Sequence, residues 1–412
     1  MKGSEFYFNR KTYKDELTGV SVTRITDNKA HYDRPYFTSP QFTSDSRYTL
    51  FVSDLTGTSR VKNPAAPAVG KIGFGELFLL ELQTGKAIQL TEGEAIKMGH
   101  GAHAMLAPNG SAAYYYSNEE LKSVNLSTLE TKTLMTIPNL YNFHSLSLSS
   151  DCRYLLFSLV EEVPLITPQF SDPFDGTAPG ARERYFKEPS SLIIRYDLQL
   201  QKGEAVFGGH HRITHANLKP DDGNKILFCH DGPWDLVQRM WTVDASTDVV
   251  KPLIVQKRNL EQVVHEYFTP SGRIGAQYSY RYRPDIPYFV FADIFVDFDG
   301  QNEERYYYPY KRPEHVSVGI DESLGVGDSC MLTDNTPQYK KYLSLIHYNN
   351  ETHKAEPSLL CCHNSSGRKY AHVHPVFTPD NQHIIYSSDC DGKLNIYMVP
   401  ADLTYALKTM PC

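Results

Sequence analysis

The chain has 412 residues, 41% of them hydrophobic and 12% aromatic, enough apolar material for a large core with a leaning toward strands. Its 41 basic and 48 acidic side chains give a formal charge of −7, which excludes general attraction to nucleic acid or an anionic membrane and leaves acidic ligands to a local basic site. The cysteines (Cys152, Cys229, Cys330, Cys361, Cys362, Cys390 and Cys412) are odd in number and lack CxxC spacing. With no apolar stretch of signal-peptide or membrane-spanning length, they predict a reduced, cytoplasmic protein without nucleic-acid or membrane partners.

Along the chain, the first strand-like segment is VSVTRIT, residues 20–26. A unit then recurs: an apolar strand, a turn reading [ST/P]-x-[DN]-[GS], and a second apolar strand. Its copies are QFTSDSRYTLF (41–51), MLAPNGSAAYYY (105–116), LSLSSDCRYLLF (146–157), NLKPDDGNKILF (217–228), YFTPSGRIGAQY (267–278), VGIDESLGVG (318–327) and VFTPDNQHIIY (376–386). Third and fourth strands follow in several copies, as in 75–93 and 121–137. Seven units of four strands predict an all-β fold, a seven-bladed β-propeller forming one domain over 1–412. The approximate blades are 35–93, 99–138, 142–208, 212–256, 263–309, 313–361 and 370–402. The segment 20–26 resembles a fourth strand and is expected to pair onto the last blade and close the ring. The longest insertion, 162–189, falls in the third blade as a possible substrate wall, and GKIGFG (70–75) reads as a loop. Two stacked β-domains would suit the composition but not seven copies in register.

Taking the apolar residue before each turn as a reference, three residues upstream lie Ser39, His103, Ser145, His215, His265, His315 and His374. Five of these seven are histidines in a chain with 16. His144 stands one step before Ser145, and His372 shares a strand face with His374 by the two-residue period. A single histidine at a strand start is commonly a packing or capping residue. Recurrence at one register across the blades instead predicts a polar, functional mouth. His230, at the end of a second strand, and the basic residues Arg34, Arg195 and Lys369 are added to it as candidates; each basic residue alone is equally well read as an ordinary ion pair.

HEYFT (265–269) begins like the HExxH zinc motif but has Thr269 in place of the second histidine, and no GxSxG elbow is present. Histidines gathered at one rim, with His372-x-His374 on one strand face, suit a divalent metal. A metal beside arginines can neutralise a carboxylate, and a nearby neutral histidine can take the adjacent carbon-bound proton. That set suits β-elimination from a uronic acid.

The segments HYDRPYF, LIIRYDL, ILFCHDGPWDLVQRMW, HEYFTPSG and AHVHPVFTPD, in this order over nearly the whole chain, resemble the oligogalacturonate lyases, polysaccharide lyase family 22. The resemblance implies a seven-bladed propeller that cleaves short pectic galacturonides by β-elimination with a Mn²⁺-type metal. It implies that His265 is the base, that Arg195 is an essential arginine, and that His315, His372 and His374 ligate the metal. Arg34, His103, His144, His215, His230 and Lys369 are left as expected substrate contacts. The family's fourth ligand, a glutamine three residues before His-x-His, is Lys369 here, and a protonated lysine cannot ligate. A related uronide such as a rhamnose–uronate chain, or a non-catalytic TolB-like binding propeller, are the alternative readings.

Overall fold

The computed structural model describes residues 1–412 except 62–71, 167–179, 235, 258–259, 284, 289, 369 and 410–412. The described residues fall into two compact units. One comprises Met1–Ile137, Arg312–His347 and Glu356–Cys412, the other Pro138–Lys311 and Tyr348–Ala355.

Both units are built from antiparallel meanders of about four short strands, as the repeat predicts. In the second unit these are Tyr141–Leu148 to Lys202–Gly209, Ile213–Lys219 to Val249–Pro252, and Glu261–Phe268 to Glu304–Tyr307. In the first unit, Tyr48–Ser53, Gly73–Glu81 and Lys86–Gln89 pair in sequence, as do Ala112–Ser117, Glu120–Asn125 and Thr131–Thr136. Among the described residues there is one α-helix, Ala181–Phe186, inside the expected insertion. GKIGFG differs from expectation: Gly73 begins a strand rather than a loop. A β-carbon on Gly75 would lie 2.5 Å from the Ser53 backbone, so the glycine permits close strand pairing there.

The repeat has a hydrogen-bond cause. Thr43 Oγ1 donates to Asp45 at 2.6 Å, while Arg47 N donates back to Asp45 and Tyr48 N to Thr43 Oγ1. The same three bonds recur at Ser149, Asp151, Arg153 and Tyr154, and again at Thr378, Asp380, Gln382 and His383. A hydroxyl two residues before a carboxylate thus satisfies the turn's backbone donors, while Ser46, Cys152 and Asn381 take the left-handed position.

The N-terminal strand behaves as expected. Thr23 and Arg24 pair with Met398 and Tyr397 of the last strand, and Ile25 N donates to Ile396 O at 2.8 Å. Val20, Val22, Tyr397 and Val399 are buried together there. Glu5–Tyr7 adds to Lys86–Gln89, a pairing the repeat did not foretell.

Candidate functional site

In the second unit the register that carries the histidines coincides with a kink in the first strand of each meander. Pairing shifts between His144 and Ser147, between Thr214 and Asn217, and between Val264 and Tyr267. Inside these bulges Ser145, His215 and His265 have φ of 55°, 51° and 56°, and His374 stands at 43°. A bulge of this kind re-aims one side chain out of the strand's alternation, and such bulges gather beside active sites. Left-handed backbone at a residue with a β-carbon costs about 1 kcal/mol or more. The recurrent position is therefore a geometric device, held against its own strain.

In the first unit four imidazoles converge. His372 and His374 have ring centroids 5.3 Å apart, His315 lies 4.5 Å from His374, and His100 lies 4.3 Å from His372. One ligand atom each from His100, His372 and His374 lies within 4.8 Å of the others. His315 is buried, and its Nδ1 is 2.6 Å from Asp328 Oδ2. Asp328 Oδ1 also accepts from the backbone N–H groups of Glu314 and His315. Burial pushes the Asp328 carboxyl up, but the His315 ring and these bonds outweigh it and hold the group below its ordinary value. A carboxylate behind one ring nitrogen fixes the imidazole and presents the other nitrogen, the usual support for a metal ligand. His374 Nε2 is buried without a hydrogen-bond partner. Burial first, then the His315, His372 and His100 rings, hold His374 well below the usual histidine range, so it is neutral and ligand-competent. This donor set fits a divalent cation.

Arg34 is enclosed by protein contacts. It is 2% exposed, and its Nε donates to Ser387 Oγ, Nη1 to Gln41 Oε1 at 2.8 Å, and Nη2 to the carbonyls of Val373 and His374, the latter at 2.7 Å. It clamps the backbone that carries His374. His103 is half-buried, with its ring 6.5 Å from Tyr116. Lys369 lies outside the described residues.

The second unit holds another cluster. Glu266, fully buried, accepts from Arg239 Nε at 3.2 Å and stands 3.3 Å from His215 Nδ1. Arg239 also donates to Asp231 at 3.1 Å, and Asp231 pairs with Arg212. Burial pushes Glu266 up, but Arg239 and then His215 pull its carboxyl far below the ordinary range. His215, Cys229 and Glu266 lie close enough to suggest a metal site. Burial pushes the Cys229 thiol up to about 12, and Glu266 is paired with Arg239. His265 follows in the same strand, half-buried at its bulge, and His144 is half-buried at the bulge of its own strand. His230 packs 4.5 Å from His211 and 5.1 Å from Trp241, and burial, with His211, brings it down to about 4.

Arg195 sits in a network of its own. Its guanidinium pairs with Glu204 at 2.5 Å, donates to Asn224 Oδ1 and Gly223 O, and covers the Tyr154 ring at 4.8 Å. All of these partners belong to neighbouring strands, and no histidine is among them. Sequence reasoning missed His100, Asp328, Glu266 and Arg239. The first could have been caught as a second histidine in MGHGAH, between glycines.

Antiparallel meanders with an imidazole cluster backed by a carboxylate define a metal-capable all-β enzyme scaffold. The family described as oligogalacturonate lyase matches residues 1–403. The oligogalacturonate lyase of Dickeya dadantii (strain 3937) is 27% identical over 96% of this chain and 97% of its own. An oligogalacturonate lyase structure from Vibrio parahaemolyticus is 25% identical with a TM-score of 0.80, covering 98% of this chain and 100% of its own. An oligogalacturonate lyase in complex with manganese shares the fold at 24% identity and a TM-score of 0.78, over 98% and 99% of the two chains. The chain belongs to the oligogalacturonate lyase family. Among the described residues no helix is long and apolar enough to cross a membrane.

Proposed function

We propose that this protein cleaves oligogalacturonides by β-elimination, leaving a 4,5-unsaturated uronate end. The observation that carries the reading is the convergence of His315, His372 and His374, with Asp328 behind His315, in a chain whose residues 1–403 match this family. These histidines would hold a divalent cation, manganese by the family resemblance. Bound there, it supplies positive charge that neutralises the uronate carboxylate and acidifies the adjacent C–H.

His265 is the base. Its imidazole takes the C5 proton, the C4–C5 double bond forms, the C4–O bond breaks, and solvent protonates the departing oxygen. Arg195 is kept as the essential arginine, and Arg34 acts on the site through the backbone of His374. Arg239, paired with Glu266 and Asp231, supports the strand that carries the base. His103, His144, His215 and His230 remain assigned to substrate contact. The seven-bladed count and the single domain rest on the sequence period, and a cytoplasmic site of action on the cysteine pattern. The rhamnose–uronate and TolB-like readings gain no support from the family match.

The test is absorbance of the conjugated product near about 235 nm with digalacturonate, with and without chelator. Activity on digalacturonate that is lost in His265→Ala supports the reading; no product from any galacturonide overturns it.

A further inference from the structure

Lys369 stands where the family resemblance calls for a fourth metal ligand, and an ammonium has no lone pair to give. We propose that His100 supplies that fourth ligand, so that this chain holds its cation with four imidazoles. The inference rests on the metal reading above.

The loop that carries His100 is built to present it. Gly99, His100 and Gly101 have φ of 99°, 64° and 94°, three successive residues in the left-handed half of backbone space, where glycine is at ease and histidine is not. Gly99 N donates to Asp33 Oδ2 at 2.7 Å and Ala102 N to Arg34 O at 2.8 Å. A β-carbon on Gly101 would lie 2.8 Å from Tyr36 Cα. The loop is thus pinned against residues 33–36 on both sides of His100, and its ring meets His372 edge-on at 4.3 Å, with His374 at 5.5 Å.

The separations suit a shared ion. Two nitrogens each about 2.1 Å from one metal are at most about 4.2 Å apart. The ligand atoms of His100, His372 and His374 lie within 4.8 Å of one another, close to that spacing, and the His315 ring stands 4.5 Å from that of His374. His374 is buried and His100 exposed, so the set runs from the interior to the open side. Simple edge-to-face packing of His100 on His372 is the competing account.

The charge balance is kept in the exchange, since an imidazole is as neutral as the amide it replaces, and Asp328 stays one bond behind, on His315 Nδ1. A cation held there would keep its charge for a uronate carboxylate.

The experiment is Mn²⁺ titration of metal-free protein by calorimetry, with pulsed electron paramagnetic resonance to count coupled imidazole nitrogens. The wild type is compared with His100→Gly and His374→Ala. Glycine removes the ring and relieves the positive φ, so this variant keeps its fold, which its melting curve without metal checks. Affinity weakened by at least about tenfold in His100→Gly, with one imidazole coupling lost, supports the proposal. Wild-type affinity and an unchanged imidazole count in His100→Gly overturn it while the metal reading stands. Absence of Mn²⁺ binding by the wild type overturns both.

Discussion

Replacing Arg34 by methionine separates a substrate contact from a positioning residue. The change keeps side-chain length but leaves Ser387 Oγ, Gln41 Oε1 and the carbonyls of Val373 and His374 without their donors. At about 1–1.5 kcal/mol for each lost bond, four bonds amount to about 4–6 kcal/mol. Desolvation works in the opposite direction. Burial brings the guanidinium down from 12.5 to about 9, with Asp33 only partly restoring it, so keeping a charge there is itself costly. The expected net loss is about 2–4 kcal/mol, read from urea unfolding. Because the clamp holds the His374 carbonyl, Mn²⁺ affinity should fall as well. At saturating metal, KM for digalacturonate should stay within about twofold, since no substrate-binding energy is removed. Unchanged stability with KM raised tenfold or more, about 1.4 kcal/mol, would refute this reasoning and return Arg34 to the substrate.

Asp328→Asn should keep both backbone bonds but lose the charged partner of His315, lowering Mn²⁺ affinity about 10–100-fold in calorimetry. Glu266→Ala leaves Arg239 buried with Asp231 as its remaining carboxylate. It should destabilise the protein by about 3 kcal/mol in urea, and Glu266→Gln by less, because the amide oxygen still accepts from Arg239. The protein should also lose stability in acid through His230 and His363, which burial brings down to about 4 from an ordinary 6.5. Above pH 6.5 both are neutral whether the chain is folded or not. Between 6.5 and 4 the unfolded chain takes up protons that the folded one refuses, so each can remove up to about 3 kcal/mol by pH 4. Unfolding midpoints across that window that do not shift in His363→Asn relative to wild type would count against this account.

Much of the fold was legible because its turns are made by short, local chemistry. A hydroxyl and a carboxylate two residues apart mark the same three-bond turn at Thr43, Ser149 and Thr378, and the alternating apolar runs beside them can only be strands. The pairing of the N-terminal strand with the last one was legible because the segment repeats the pattern of a fourth strand. Glu5–Tyr7 was not, since three residues with an exposed–intermediate–exposed pattern carry no period to read. The candidate site was legible where it obeys the register, as at His215, His265 and His374. It was hidden where a loop brings a residue in from off the register, as at His100, or where a partner arrives from the next strand, as Asp328 does for His315.

The contacts of the two arginines sharpen the register rule. Arg195 lies on the third strand of its meander and directly faces Glu204 on the fourth. Cross-strand pairs of opposite charge are a common stabilising contact there, so a charged residue on an outer strand already has a sufficient structural explanation. Arg34 precedes its meander's turn, as the histidines do, yet it is too long to stop at the strand end and threads back to the carbonyls beside His374. An imidazole at the same level is short and rigid, and the bulge decides its direction. What marks a candidate functional group in these repeats is therefore the bulged position on a first strand, with positive φ at His215 and His265. Charge by itself marks nothing. By that criterion Arg239 is a support, the buried partner of Glu266 next to a bulged histidine, and not itself a candidate.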